Sequence, residues 1–401
     1  MKNLLTLMAA VAVAAIITTG CNGNDEPKNE PNDYVAITLD GAQTRTCESG
    51  NDFALNLLDA ASRSTDGNVV LSPITVATNL AMLANGAKGE TLDDILDVLG
   101  AGSLEELNSY YSMMAGRLPG MDRTVTLKFA NSLWHSENLS VTQDFTASIN
   151  RYFNAQVNGF TPGSNDAWEA INKWCADNTE GLIKRFLATP PTGNMYMLSA
   201  TYFNGAWDLF DKDYSDKGTF RNEDGSTSDV TMMSTHRSKT LLYAETDNCG
   251  AVSLPYGNGA FMLTLILPEE GKTVREAINA TEINSLLSSE QYRDLTVNLP
   301  RFEVGFRKAL NDALGSLGFD PAQSGNDYTG IGNVDSDLVL MHETTLAVNE
   351  KGTTAAAVAG VQDPTSVLRP DDIFQVDRPF AFLIREKSTN AILFAGVIRN
   401  L

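Results

Sequence analysis

Apolar positions along this chain fall into two patterns, and the pattern changes near its middle. In the first half they recur at helical spacing. Ile74 to Ala84 is apolar almost all round, which predicts a buried helix; Ser72-Pro73 opens it with a capping hydroxyl and a ring of fixed φ. Leu92, Ile95, Leu96 and Leu99 share one face of a second helix, which Thr91 caps and Gly100 stops. Asp166 opens a third that brings Ile171, Trp174 and Cys175 together, and Leu310, Leu314 and Leu317 line a fourth ended by Gly318. In the second half that spacing is lost. Phe261 to Leu267, closed by Pro268, and Ile392 to Ile398 are unbroken, as in strands covered on both faces. Leu295 to Leu299 and Phe302 to Phe306 alternate, and Leu338 to Val348 reads as a long β-branched strand. Helices first and strands later predict an α+β fold. No Pro/Gly/Ser-rich linker or internal repeat divides residues 34–401.

The most informative segment follows that last strand. After Glu350 and Lys351, where a hairpin turn is due, come Gly352, Thr353, Thr354, Ala355, Ala356, Ala357, Val358 and Ala359. These side chains offer too little apolar surface to anchor a core, and the run stays uncharged until Asp363. A segment that is exposed yet compatible with a buried sheet can enter one as a strand. In that state Thr353, Ala355, Ala357 and Ala359 would share a face, and no charge on it would oppose burial. A flexible Ala-rich surface loop is the plainer alternative.

The formal net charge is −21 and the pI about 4.5, which argues against nucleic acid as a partner. Lys2 followed by apolar Leu4 to Ile17 is too short to span a bilayer well and reads as an export leader of residues 1–20. Thr18, Thr19, Gly20 and Cys21 resemble a bacterial lipoprotein signal, with Cys21 lipidated, although Thr18 stands where an aliphatic residue is usual. An ordinary secretory leader cut near Gly20 is the alternative. Asn22 to Asp33 is rich in Asn, Asp, Glu and Pro and reads as a tether, so residues 21–33 would space the body from a bacterial envelope membrane. Whether that is the periplasmic face or the cell surface is open, and the lipid would be the sole membrane contact.

Cys47, Cys175 and Cys249 are too few for a disulfide framework and read as buried hydrophobes. His135, His236 and His342 lack partners at metal-ligand spacing, no G-x-S-x-G elbow exists, and nothing calls for a cofactor. The sequence gives no reason to expect an enzyme.

Asn68 to Pro73, Gly86 to Thr91, Asn172-Lys173-Trp174, Phe203 to Trp207, Met232-Met233, Leu254 to Gly257, Leu299 to Phe302 and Asp377 to Phe380, together with Glu350 to Ala359, resemble serpin signatures in the family's order. The resemblance spans nearly all of residues 34–401 and implies one monomeric domain of three sheets and about nine helices. It implies a suicide inhibitor of serine, and in some members cysteine, proteases. The protease acylates one loop bond, and the cut loop then enters the main sheet before deacylation. The native fold would be metastable. Glu350 to Ala359 would be the hinge. Trp207, Arg301 and Glu350 would guard the slot, with an Arg301–Glu350 ion pair. Ser72 and His342 match a hydrogen-bonded cluster beneath the parting strands, where Ser199 replaces the usual Asn; the network must therefore be rewired or hold water. Counting on from Glu350 places the scissile bond at Ser366-Val367, with Val367-Leu368 and Leu368-Arg369 as alternatives. Small or aliphatic residues there point to elastase-like or subtilisin-like targets. Asp363-Pro364 would end an inserted strand, so entry should be snug to about Gln362. Two other readings compete: a serpin cut as a plain substrate, and a surface-binding lipoprotein.

Overall fold

The computed structural model describes residues 31–334, 338–353 and 373–401. Cys21, most of its tether, hinge positions Thr354 to Ala359 and the candidate scissile residues Ser366, Val367, Leu368 and Arg369 lie outside the described residues.

A six-stranded sheet forms one side of the molecule. Its order is β11 (Phe302–Ala309), β12 (Met341–Asn349), β13 (Gly352–Thr353), β4 (Met195–Ala206), β2 (Val125–Ser136) and β3 (Gln156–Phe160). The second sheet runs β1 (Val69–Leu71), β16 (Ile392–Ile398), β15 (Phe380–Glu386), β9 (Phe261–Pro268), β8 (Cys249–Pro255), β7 (Lys239–Glu245), β10 (Gln291–Pro300), β6 (Thr227–Ser234) and β5 (Ser215–Arg221). Its strand β10 is shared. Gln291 to Leu295 pair with β7, whereas Asn298 to Pro300 pair with β6 and Thr296 to Asn298 with β14 (Ile373–Gln375). That split divides the ladder in two, making three sheets in all.

Nine α-helices are present among the described residues. α1 (Gly41–Arg63) starts in a capping box of Asp40 and Gln43, and α2 (Pro73–Ala84) is buried at every position except Thr78. Both pack on β16, whose seven residues are all buried. α3 (Gly89–Leu99), α4 (Leu104–Arg117) and α5 (Gln143–Phe153) cluster around α2. α6 (Asn165–Asn178) lies on the opposite face of the six-stranded sheet, against β2 and β4. α7 (Val274–Ala277), α8 (Ala280–Ser289) and α9 (Asn311–Ser316) complete the set. The core also holds a cation. Arg385, 1% exposed, donates to Thr264 at 2.9 Å and to Glu290 at 2.6 Å. Its burial is tolerable because the charge is paired and hydrogen-bonded.

Local capping departs from the sequence reading at three helices. Thr91 sits inside the first turn of α3, whose N-cap position is Lys88, and its hydroxyl accepts from the Asp327 N–H instead. Ser164, not Asp166, caps α6, and the Ser72 hydroxyl makes no cap bond. Strands also appear early: β2 and β4, twelve residues each, precede most of the recognised ones. β12 begins at Met341, not Leu338. Asn32 accepts from the Arg123 N–H at 2.8 Å and donates to the Met121 carbonyl at 3.0 Å.

Candidate functional site

β12 ends at Asn349, and the chain turns back at once. Gly352 pairs with Asn349 and Ala206, and Thr353 with Val348 and Gly205, so β13 lies between β12 and β4. Gly352 is required there. Its φ is +125°, and a Cβ would stand 2.0 Å from the Gly205 carbonyl oxygen. Thr353 is fully buried and its hydroxyl lies 2.6 Å from that of Tyr256.

Tyr256 stacks on Trp207, with ring planes 3° apart and centroids 5.1 Å apart. The Trp207 indole N–H reaches the carbonyls of Asn349 (3.1 Å) and Glu350 (3.2 Å), clamping the turn. Glu350 is buried. It accepts from Arg301 Nε at 3.2 Å, from a second Arg301 nitrogen, and from the Ser215 hydroxyl at 2.7 Å. Burial pushes this carboxyl up, but the bonds from Arg301 and Ser215 outweigh it and hold Glu350 below the usual carboxylate range. An exposed pair would contribute only about 0–1 kcal/mol. Here one partner is buried, so losing Arg301 would strand a carboxylate away from water.

Deeper in the sheet, His342 is buried on β12. The Ser72 N–H donates to its Nε2 at 3.1 Å, which places the imidazole proton on Nδ1, and the Thr344 hydroxyl lies 2.6 Å from the same nitrogen. Ser72 donates its hydroxyl to the Leu393 carbonyl at 3.0 Å and accepts from Thr75, which in turn contacts Thr201 at 2.7 Å. Ser199 donates to Asn79 of α2 at 3.0 Å and has no bond to His342. The Ser199–Asn79 pair thus stands apart from the bonds that join Ser72, His342, Thr344, Thr75 and Thr201. Sequence reasoning missed Tyr256, Ser215, Asn79, Thr75, Thr201 and Thr344 as members. Only Tyr256 lay in a recognised motif.

Burial lowers the His342 pKa from 6.5 to about 4. As pH falls, the unfolded chain takes up this proton first. The stability it contributes is therefore fully present above pH 6.5 and is lost as pH falls towards 4, up to about 3 kcal/mol. Urea midpoints of the parent protein should fall more steeply between pH 7 and 4.5 than those of His342→Gln. Equal slopes would contradict this.

Cys47, Cys175 and Cys249 are free and buried, and burial pushes the Cys175 thiol up to about 12, so none is a ready nucleophile. Among the described residues no group of His, Cys, Asp and Glu could hold a metal, and no helix is long and apolar enough to cross a membrane.

Fold and site together define a sheet that takes a short strand of its own chain between two longer ones. Residues 48–401 match the model of the serpin (serine protease inhibitor) family, and the chain belongs to that family. Leukocyte elastase inhibitor A of Mus musculus is 29% identical over 366 residues, covering 86% of this chain and 96% of that protein. The thermophilic serpin tengpin, 27% identical in its native state, superposes with a TM-score of 0.82 over 93% of this chain and 97% of its own; its latent state gives 0.77. Human thyroxine-binding globulin complexed with thyroxine, 24% identical, shares the fold at a TM-score of 0.80 over 90% and 99% of the two chains.

Proposed function

We propose that this serpin is inhibitory and traps elastase-like or subtilisin-like serine proteases, with cysteine proteases as a second class. The observation that carries the reading is the seating of Gly352 and Thr353 in the slot at the start of an uncharged, small-residue run. Extending that register would set Ala355, Ala357 and Ala359 opposite Leu346, Thr344 and His342 on β12, and opposite Phe203, Thr201 and Ser199 on β4. Alanine is small enough to pass each. The same register brings Asp363 opposite Met195, where β4 begins, so the sequence would break the strand where the slot ends. Ser366-Val367 is the preferred scissile bond, with Val367-Leu368 and Leu368-Arg369 behind it.

Incubation of the purified protein with proteases of these classes tests the reading on a denaturing gel. An inhibitor leaves a covalent adduct that survives SDS; a plain substrate leaves only two fragments. The chain is further proposed to be a monomer anchored by lipid on Cys21 to a bacterial cell envelope, with residues 1–20 removed. The intact mass of detergent-extracted protein checks this. A mass equal to residues 21–401 without lipid, or to a chain cut elsewhere, would sink the anchor.

A further inference from the structure

The outer face of the six-stranded sheet is crossed by a strap, residues 179–194, that follows α6. On one side the strap is fixed to α6. Leu187 accepts from Trp168 Nε1 at 2.7 Å and from Asn172 at 3.1 Å through its carbonyl, and its N–H donates to Asn172 at 2.7 Å. α6 itself is seated on β2, β3 and β4, where Ile171, Trp174 and Phe186 join Trp134, Phe160 and Leu198 in a second core. On the other side Met341 of β12 packs against the same second core, and a cation of β11 grips the main chain of the strap. Arg307 of β11 donates Nη1 to the Arg185 carbonyl at 3.1 Å and Nη2 to the Phe186 carbonyl, with its guanidinium 5.7 Å from the Phe186 ring centroid. The same Nη1 reaches Glu343 of β12 at 2.8 Å. Beneath Phe186 and Leu187 lies a cavity of about 550 Å³, lined by Met195 to Leu198 of β4 and Leu338 to Met341.

β4 with α6 stands on one side of β13, and β12 with β11 on the other. Arg307 therefore ties the two halves together across the line where β13 enters. We propose that Arg307 is a positioning residue that sets how fast these halves part, and so how often an acylated protease is trapped rather than released. Both hydrogen bonds to the strap are to main-chain carbonyls, so Arg307 can be changed while those acceptors stay as they are. Lysine keeps the charge for Glu343 but lacks the fork that spans two carbonyls. The proposal rests on the inhibitory reading for its effect on trapping, but not for its effect on the sheet.

Two measurements on the intact protein separate these. Hydrogen exchange, which needs no protease, should quicken by about tenfold at β4 and β12 amides in Arg307→Gln, with β15 and β16 unchanged. Arg307→Lys should fall between. Unchanged exchange at β4 and β12, or equal acceleration in β15 and β16, overturns the tie. With a protease that the parent protein traps, Arg307→Gln should need fewer moles of inhibitor per mole of protease at an unchanged rate of acylation. An unchanged or increased requirement overturns the control of trapping. Failure of the parent protein to trap any protease overturns that part as well, while the exchange result still decides the tie.

Discussion

Thr353→Arg is expected to turn the protein from a trap into a substrate. Thr353 is fully buried between Val348 and Gly205, with its hydroxyl on that of Tyr256 and no carboxylate among these contacts. A guanidinium entering there would be buried without a partner, at about 3–5 kcal/mol. If that cost falls on strand entry, entry slows by roughly two to four orders of magnitude, while acylation at the scissile bond is untouched. Deacylation then wins the race. Titration should show the number of inhibitor molecules consumed per protease rising at least tenfold, with the rate of loop cleavage unchanged. Thr353→Ser keeps the hydroxyl and should behave like the parent protein. Efficient adduct formation by Thr353→Arg would mean that Thr353 need not stay in the slot.

The second large effect is thermal. Cutting the loop in the intact protein, with a protease that does not become trapped, should raise the melting temperature by at least ~10 °C. Residues 354–362 would gain ladder bonds on both sides, from β12 and β4. At about 1 kcal/mol net each, roughly ten such bonds are worth on the order of 10 kcal/mol. A chain of this size gains on the order of a degree or two per kcal/mol. The C-terminal fragment should stay attached, because β15 and β16 are buried throughout and Arg385 is paired to Glu290. A cut protein that melts at or below the intact one would show that the sheet takes up nothing beyond Thr353.

The sequence made the covered strands readable. Phe261 to Pro268 and Ile392 to Ile398 are apolar because helices or other strands cover both faces, and their bounds match within a residue. β2 and β4 were not readable. They mix Asn131, Ser132, Ser199 and Thr201 with large apolar side chains, because one face meets the polar network and the other meets α6. Neither a clean alternation nor an unbroken run survives. At the site, Arg301, Glu350 and Trp207 could be placed by resemblance, and the structure brings all three to the turn at Asn349. The Tyr256–Thr353 pair had no such trace. Its hydroxyls are 97 residues apart, and only the pairing of β13 brings them together. Nor could the sequence show that Ser199 pairs with Asn79, which reads simply as a polar position on a buried helix.

The central claim is that a protease is caught when the loop it has cut enters the slot between β12 and β4. Its most direct test is the parent protein mixed with an elastase-like protease, read on a denaturing gel and by mass spectrometry of the released C-terminal peptide. The account predicts a covalent adduct and a peptide beginning at Val367; a start at Leu368 or Arg369 would move the bond and keep the mechanism. Two clean fragments and no adduct, with elastase-like, subtilisin-like, trypsin-like and papain-like proteases alike, would contradict it.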